Sequence, residues 1–416
     1  MNDFGVFTYV SIFIQLISLI IGIYHVLIGM FGFISLKEKK RETNKINTFA
    51  LIVSAHNEEA VIANLIHSLK AIDYPDNSYD IFVVADNCTD QTAQIAENCG
   101  ANVFIRTSDK RGKGYALEWI FEKLFDFEKK YDYIAVFDAD NLSDKSFLKE
   151  MNIHANKGHK VIQGYVNSKN PFDSWITVSY SISFWTISRT FQLARYRLGL
   201  CCQLMGTGFA IETDTLKRIG WCPDCLTEDM EFTMKLALND EKVSWAHKAK
   251  IYDEKPVTLI NSWRQRKRWI QGHCDVASKY FVRLIKKGIK EKKLTPIDCA
   301  VYLIQPIRII TMGIIMFFGY AQTFHPSGDI GFVQLSYLFD SPVIWNTISV
   351  LNLLYMPVVV TIEQRKFNFK YLFGYFIYPL YNLTWIPIAI QGLTVKNKKD
   401  WYHTRHTRNI SIDEIN

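Results

Sequence analysis

The sequence predicts an α/β fold built on a mostly parallel sheet, with apolar helices at both ends of the chain that meet a bilayer. Three observations predict it. Short β-branched runs alternate with helical periods between Asn47 and about Trp245, an almost uncharged stretch runs from Val6 to Leu36, and apolar character returns near Pro296. At 416 residues the chain has length for two or three domains of about 150 residues each. Hydrophobic residues make up 49% and charged residues 21%, too apolar for disorder and rich for an ordinary soluble enzyme. Aromatics at 14% suit a chain that partly meets lipid. The formal charge of +7 is modest. It excludes a polybasic nucleic-acid binder and leaves anionic lipid or an anionic substrate as partner.

The first element, residues 6–36, has only Gln15 and His25 as strongly polar interruptions. As a helix it extends roughly 45 Å at about 1.5 Å per residue, beyond the ~30 Å of hydrocarbon it must cross. It lacks a basic leader and a small-residue cleavage site, so it reads as a retained, tilted span. Lys37-Glu38-Lys39-Lys40-Arg41 then places its end, and the block 42–255 that follows, in the cytoplasm.

Within that block Phe49–Ser54, Asp80–Ala85, Asn102–Ile105 and Tyr133–Phe137 are apolar runs too short for helices. Helical periods lie between them, over 58–70, 90–99 and 114–127. Strand and helix in alternation give parallel pairing with right-handed crossovers. Three of the strands end in polar clusters: Asn57-Glu58-Glu59, Asp86-Asn87 and Asp138-Ala139-Asp140-Asn141. Open parallel sheets bind ligands at these ends, so the clusters should converge on one crevice. The plainer reading of Asp86 and Asp90 is helix capping.

Asp138 and Asp140 are two carboxylates that repel unless a cation holds them. Magnesium binds through one or two carboxylates plus substrate phosphate and water, so the pair reads as half a metal site. Lys110-Arg111-Gly112-Lys113-Gly114 is a basic, glycine-rich turn before a helix; it suits an anion, or is a solvated loop. Thr227-Glu228-Asp229 opens the helix 230–238, either as a dipole-favoured cap or as the general base of a transferase. Ser262–Gln271 packs four cations and two tryptophans into one stretch. It fits a membrane-surface helix, or a site where Arg268 meets pyrophosphate and Trp269 a sugar ring. Ile176, Tyr180, Phe184, Ile187, Phe191, Ala194 and Leu198 stripe another helix, which lies in the interface or in the core. Cys222 and Cys225 form a lone CxxC after Cys201-Cys202, poorly spaced for zinc, and reduced thiols are expected for all eight cysteines.

Residues 256–295 are expected to be interfacial, 296–395 to span the membrane, and 396–416 to form a basic cytosolic tail. The apolar stretches are about 300–324, 342–362 and 371–393, and Arg308 can snorkel. Three crossings would leave the tail outside, against its Lys396-Asn397-Lys398-Lys399. Pro379 and Pro387 make the last stretch bent, re-entrant or paired with a further short span.

Taken in order, Ser54-Ala-His-Asn-Glu-Glu59, Ala85-Asp-Asn-Cys-Thr-Asp90, Phe137-Asp-Ala-Asp140, Gly206-Thr-Gly208, Thr227-Glu-Asp229 and Gln265-Arg-Lys-Arg-Trp269 resemble the membrane-embedded, processive enzymes of glycosyltransferase family 2. Cellulose, chitin, hyaluronan and poly-N-acetylglucosamine synthases belong there. The likeness covers about residues 47–280 and implies an α/β GT-A domain that binds a UDP-sugar. By position it implies that Glu58 and Asp86 contact uridine and Lys113 the diphosphate, with Asp138 and Asp140 on the nucleotide and its Mg²⁺ or Mn²⁺. Gly206, Thr207 and Gly208 would border the acceptor, and Asp229, next to Glu228, would be the base. Gln265, Arg268 and Trp269 would form the Gln-x-x-Arg-Trp motif of processive members. Cellulose-synthase-like members often carry a metal-binding His after the acid pair; here it is Asn141.

The resemblance implies a hexosyltransferase of the plasma membrane that crosses it several times. It would polymerise UDP-glucose into a β-glucan, including the (1,3;1,4)-linked kind. Aromatics such as Trp345, Tyr355 and Trp385 read as lipid-belt anchors, or as the lining of a path for the polymer. UDP-N-acetylglucosamine as donor, or a lipid phosphate as acceptor, are the alternatives. Expected partners are the UDP-sugar, the growing polysaccharide and the bilayer, with no nucleic acid; a monomer or an oligomer would serve.

Overall fold

The computed structural model describes residues 5–34, 45–324, 332, 342–365, 369–395 and 408–415. The basic run 37–41, Lys366, the tail 396–399 and the side chain of Trp345 lie outside the described residues.

Four parallel strands form one half of the sheet: β1 (Phe49–Ala55), β2 (Tyr79–Asp86), β3 (Asn102–Arg106) and β4 (Tyr133–Asp138). Between them run α2 (Ile62–Lys70), α3 (Thr92–Asn98) and α4 (Lys113–Asp126), after an N-terminal α1 (Val6–Met30). The other half holds β5 (Leu142–Ser143), β6 (Val161–Ser168), β7 (Phe209–Glu212) and β8 (Val243–Asp253), in the overall order β3-β2-β1-β4-β7-β6-β8-β5. Here β7 runs antiparallel to β4 and β6, so the sheet is mixed.

Alternate residues of β1 feed two cores: Ala50 and Ile52 pack on the α4 side with Leu117 and Ile120, while Phe49, Leu51 and Val53 pack on the α2 side with Ile62 and Leu65. This is the period of a strand buried on both faces. The remaining helices of the block are α5 (Phe147–Asn156), α6 (Trp175–Ile187), α7 (Ala194–Arg197), α8 (Thr213–Ile219) and α9 (Glu228–Leu238). A π-helical turn, Ser188–Leu193, joins α6 to α7.

The stripe over 175–198 is therefore not one interfacial helix. Its first turns are buried on both sides, Ile176, Thr177, Ser179 and Tyr180 included, while Ile187 and Leu198 are exposed, and Ser183 donates to the Tyr378 hydroxyl at 3.1 Å. The hydroxyls of Ser179, Ser183 and Thr190 bond to backbone carbonyls one turn back, as Ser179 does to Trp175 at 2.8 Å.

Beyond the sheet come α10 (Leu259–Glu291), α11 (Leu294–Leu303), α12 (Gln305–Phe324), α13 (Pro342–Gln364), α14 (Lys370–Leu383) and α15 (Trp385–Thr394). The stretch 371–393 breaks at Thr384, because the ring of Pro387 cannot follow a helical carbonyl at Leu383. Among the described residues α1 is the one helix long and apolar enough to cross a membrane, or one of two if α11 and α12, bent by 53°, count together. Exposed apolar side chains nonetheless ring α1 and α12–α15, with Phe13, Ile20, Phe317, Leu351 and Phe376 among them. The N-terminal helix is seated by glycine: a Cβ on Gly32 would meet the Arg189 carbonyl at 2.3 Å, and Arg189 donates to the Gly32 carbonyl at 2.8 Å.

Candidate active site

The ends of β1, β2 and β4 open on one cavity of about 2260 Å³, so the three polar clusters do converge. On its first wall Arg106, ending β3, donates to Asp86 at 2.5 Å, with the two side chains 6% and 8% exposed. Arg106 also holds the Lys110 carbonyl at 3.0 Å, which ties the basic turn to the same pair. Glu58 is buried beside them, its N–H on the Thr92 hydroxyl at 2.8 Å. Asp90 accepts from the N–H and hydroxyl of Thr92 at 3.0 and 2.6 Å and is the cap residue of the two acids weighed; Asp86 is the cavity residue.

Gly112, at φ 119°, turns the chain into α4 and delivers Lys113, whose ammonium pairs with Asp138 and donates to the Gly206 carbonyl at 2.7 Å. Asp138 is 36% exposed, the reachable member of the acid pair. Its N–H is held by the Thr207 hydroxyl at 3.0 Å and the Asn141 amide oxygen at 3.2 Å. Asp140 is buried and accepts from the Asn141 amide at 3.3 Å and the Glu254 N–H at 3.2 Å. The Asn141 amide also donates to Asp253 at 3.1 Å, and Lys255 reaches Asp253 at 2.7 Å. Asparagine thus clips two carboxylates together. A His would have to give up one of those bonds.

Among the described residues no group of three His, Cys, Asp or Glu could hold a metal ion by itself. It fits an ion that takes one or two carboxylates here and completes its shell with phosphate and water.

Opposite, α9 begins with Glu228 and Asp229, both in the cavity wall. Asp229 accepts from the Met230 N–H at 2.7 Å, and a Cβ added to Gly206 would lie 3.4 Å from its Oδ2. Enclosure by protein raises Asp229, against the pull of the Met230 N–H, Lys113 and Arg268. Burial first, then the charge of Asp229, pushes Glu228 up to about 7. Both acids therefore titrate nearer neutrality than free carboxyls. Arg268 donates to the Leu226 carbonyl at 3.3 Å, beside them. Gln265 accepts from the Tyr180 hydroxyl at 2.9 Å, and the Trp269 ring stands 6.1 Å from that of Tyr180.

All the expected site residues line this cavity except Gly208. At φ 63°, with the Ile251 side chain only 2.6 Å from where a Cβ would stand, Gly208 makes room for that side chain and is no part of the wall. Thr207 lines the cavity but spends its hydroxyl on Asn141 and Asp138.

Residues 47–272 match a family model described as glycosyltransferase like family 2. The chain belongs to that family. Its fold is the GT-A fold, and it is an enzyme that transfers sugar. A poly-β-1,6-N-acetyl-D-glucosamine synthase of Staphylococcus epidermidis is 24% identical over 424 residues, covering 97% of both chains. A β-monoglucosyldiacylglycerol synthase of Nostoc is 26% identical over 297 residues, 68% of this chain and 60% of the relative. The solved mannosyltransferase of Pyrobaculum calidifontis, in complex with GDP-mannose and Mn²⁺, shares the fold at a TM-score of 0.58 and 14% identity, over 92% of this transferase and all of that chain.

Arg106, Asp253 and the buried lysines Lys169 and Lys255 belong to the site without standing in any of the sequence motifs. Lys169 donates to the Asp140 carbonyl at 3.3 Å and is lowered by burial against the nearby acids, while Lys255 lies 3.4 Å over the Phe184 ring. One signal could have found Asp253: it ends a strand in acid, as Asp86 and Asp138 do.

Proposed function

We propose that this transferase is a membrane-embedded, processive, inverting enzyme that polymerises a UDP-hexose into a β-linked polysaccharide. The observation that carries the reading is the continuity of the cavity. It runs from Glu58 and Asp86 past Asp138 and Asp229 to Trp269, then on between the C-terminal helices to Met312, Leu354 and Tyr378. A path that continues behind the base leaves room for more than one sugar of product.

Asp229 takes the proton of the acceptor hydroxyl, and the freed oxygen attacks the anomeric carbon of the α-linked donor. The bond from that carbon to the diphosphate oxygen breaks, and its electron pair leaves with UDP. One displacement inverts the centre and gives a β linkage. Asp138 and Asp140 would hold Mg²⁺ or Mn²⁺, which when bound offsets the charge on the departing diphosphate. Lys113 adds fixed positive charge on the same side, and Arg268 adds it from beside Glu228 and Asp229. Glu228, near 7, carries its proton in part of the neutral population and so limits repulsion against Asp229.

The exposed apolar girdle supports several membrane crossings, and the plasma membrane with a cytosolic catalytic domain is the setting we infer. UDP-glucose is the donor we assign, with a β-glucan, (1,3;1,4)-linked among the options, as product. UDP-N-acetylglucosamine is the rival, supported by the name of the staphylococcal relative. A second reading, transfer to a lipid, draws on the aliphatic wall at Ile309, Met312, Met316 and Leu354 and on the name of the Nostoc relative.

One assay separates them. Purified transferase is given Mg²⁺ and radiolabelled UDP-glucose or UDP-N-acetylglucosamine, and products are sized before and after linkage-specific glucanase. High-mass, digestible product is expected. Labelled lipid would favour the second reading, and no turnover with either donor would overturn both.

A further inference from the structure

Arg266 sits inside the Gln265–Trp269 motif but points away from the cavity its neighbours line. It is 0% exposed. A guanidinium carries five N–H donors and cannot lose its charge. Here Nε reaches the Ser262 carbonyl at 3.4 Å and Nη1 the Thr384 hydroxyl at 2.8 Å. Among the described residues Nη2 has no partner, and no carboxylate pairs with the group. What surrounds it instead is aromatic: the Tyr381 ring at 4.3 Å and the Trp385 ring at 4.9 Å. A buried cation held by a hydroxyl, a carbonyl and two ring faces is poorly compensated as a stability device. A Met would fill the same slot without the charge.

The three residues it touches outside its own helix straddle one point of the chain. Thr384 is the break between α14 and α15, Tyr381 lies one turn before it and Trp385 begins the helix after it. Thr384 also donates to the Tyr381 carbonyl at 2.6 Å. Tyr381 and Trp385 also line the cavity, together with Trp269 and Tyr180. Tyr180 in turn stands 5.6 Å from Tyr381 and donates to Gln265. One motif helix therefore reaches the base with Arg268 and the far aromatic wall with Arg266.

We propose that Arg266 is a positioning residue for the acceptor. It pins the α14–α15 break and so fixes the rings of Tyr381 and Trp385 as a wall on which the sugars of the acceptor lie. This deepens the polymerase reading and rests on it for the identity of the acceptor, while the pinning itself concerns only which substrate loses affinity. Ring faces bind sugar faces, and a wall misplaced by about an ångström weakens acceptor binding without touching the donor.

The test is a split of Michaelis constants in the full-length, detergent-purified transferase. Arg266→Met should raise the KM for a β-linked oligosaccharide acceptor about tenfold and shorten the product, with the donor KM within about twofold of wild type. Arg266→Lys, which keeps the charge and loses the plane, should show the same pattern more weakly. In a cycle with Trp385→Ala the two losses should fail to add, because one acts through the other. An unchanged acceptor KM in Arg266→Met, donor and acceptor KM rising together, or full additivity with Trp385→Ala would each overturn the proposal. If Arg266→Met does not fold, Thr384→Val removes the anchor alone and is read by the same split. Should the wild type label a lipid and make no polymer, the polymerase reading fails, and the split measured on that lipid still decides for or against Arg266.

Discussion

Two walls of one cavity carry the same side-chain type in different surroundings. On the donor wall Asp86 is paired with Arg106 and Asp138 with Lys113, each through a direct contact. On the acceptor wall Glu228 and Asp229 share the start of α9, and among the described residues neither has a salt bridge of its own. Burial raises both, and Lys113 and Arg268 only temper it. A carboxylate that is already compensated can hold a cation or a nucleotide; one left enclosed is ready to take a proton. The walls are joined by Lys113, which bonds Asp138 and the Gly206 carbonyl and whose charge also lowers both members of the acid pair.

The sharpest break of this contrast is Asp229→Asn, which should cut turnover by about 10³-fold, read as labelled product per enzyme. Next, Asp138→Ala should weaken UDP-sugar binding by about 10²-fold and remove its dependence on divalent cation, read by titration calorimetry. Arg106→Met leaves Asp86 buried without its partner and should cost about 3 kcal/mol of stability by denaturant unfolding. Lys113→Gln takes a cation from beside Glu228 and Asp229. The carboxyls then protonate at higher pH, so the acid limb of the pH–rate profile should move up while kcat/KM falls about tenfold.

The smallest effect is on Glu228. Its carboxyl is raised from 4.5 to about 7 in the folded chain, so between those values the folded state binds the proton more tightly than the unfolded state. Stability therefore falls as pH rises through that window. Glu228→Gln lacks this loss and should melt about 2–4 °C above wild type near pH 8, with the gap closing near pH 4.

The two walls also differ in how far the sequence reveals them. Strands β1 to β4 are near-continuous apolar runs, so their positions and polar ends were readable, and with them Glu58, Asp86, Asp138 and Asp140. Strand β6 was not, because Gln163 sits in its middle. That side chain is buried against distant backbone, donating to the Thr207 carbonyl at 2.8 Å and accepting from the Met205 N–H at 2.8 Å. A register shift between Gly164 and Tyr165 further blurs the pattern of β6 with β8, and with it the acid end at Asp253. Gly208 misled for a related reason: its lack of a side chain answers to Ile251 across the sheet, a contact that sequence proximity to Thr207 hides. Local rules reach residues whose partners are near in the chain. Asn141 with Asp253, and Arg266 with Thr384, are more than a hundred residues apart.

The central claim is that the two walls have separate jobs, and UDP titration into Asp229→Asn and Asp138→Asn, with Mg²⁺ and after chelation, tests it most directly. Asp229→Asn should bind UDP as wild type does and lose it on chelation, while Asp138→Asn should bind weakly under either condition. Weak, cation-independent binding by Asp229→Asn beside wild-type binding by Asp138→Asn would contradict it.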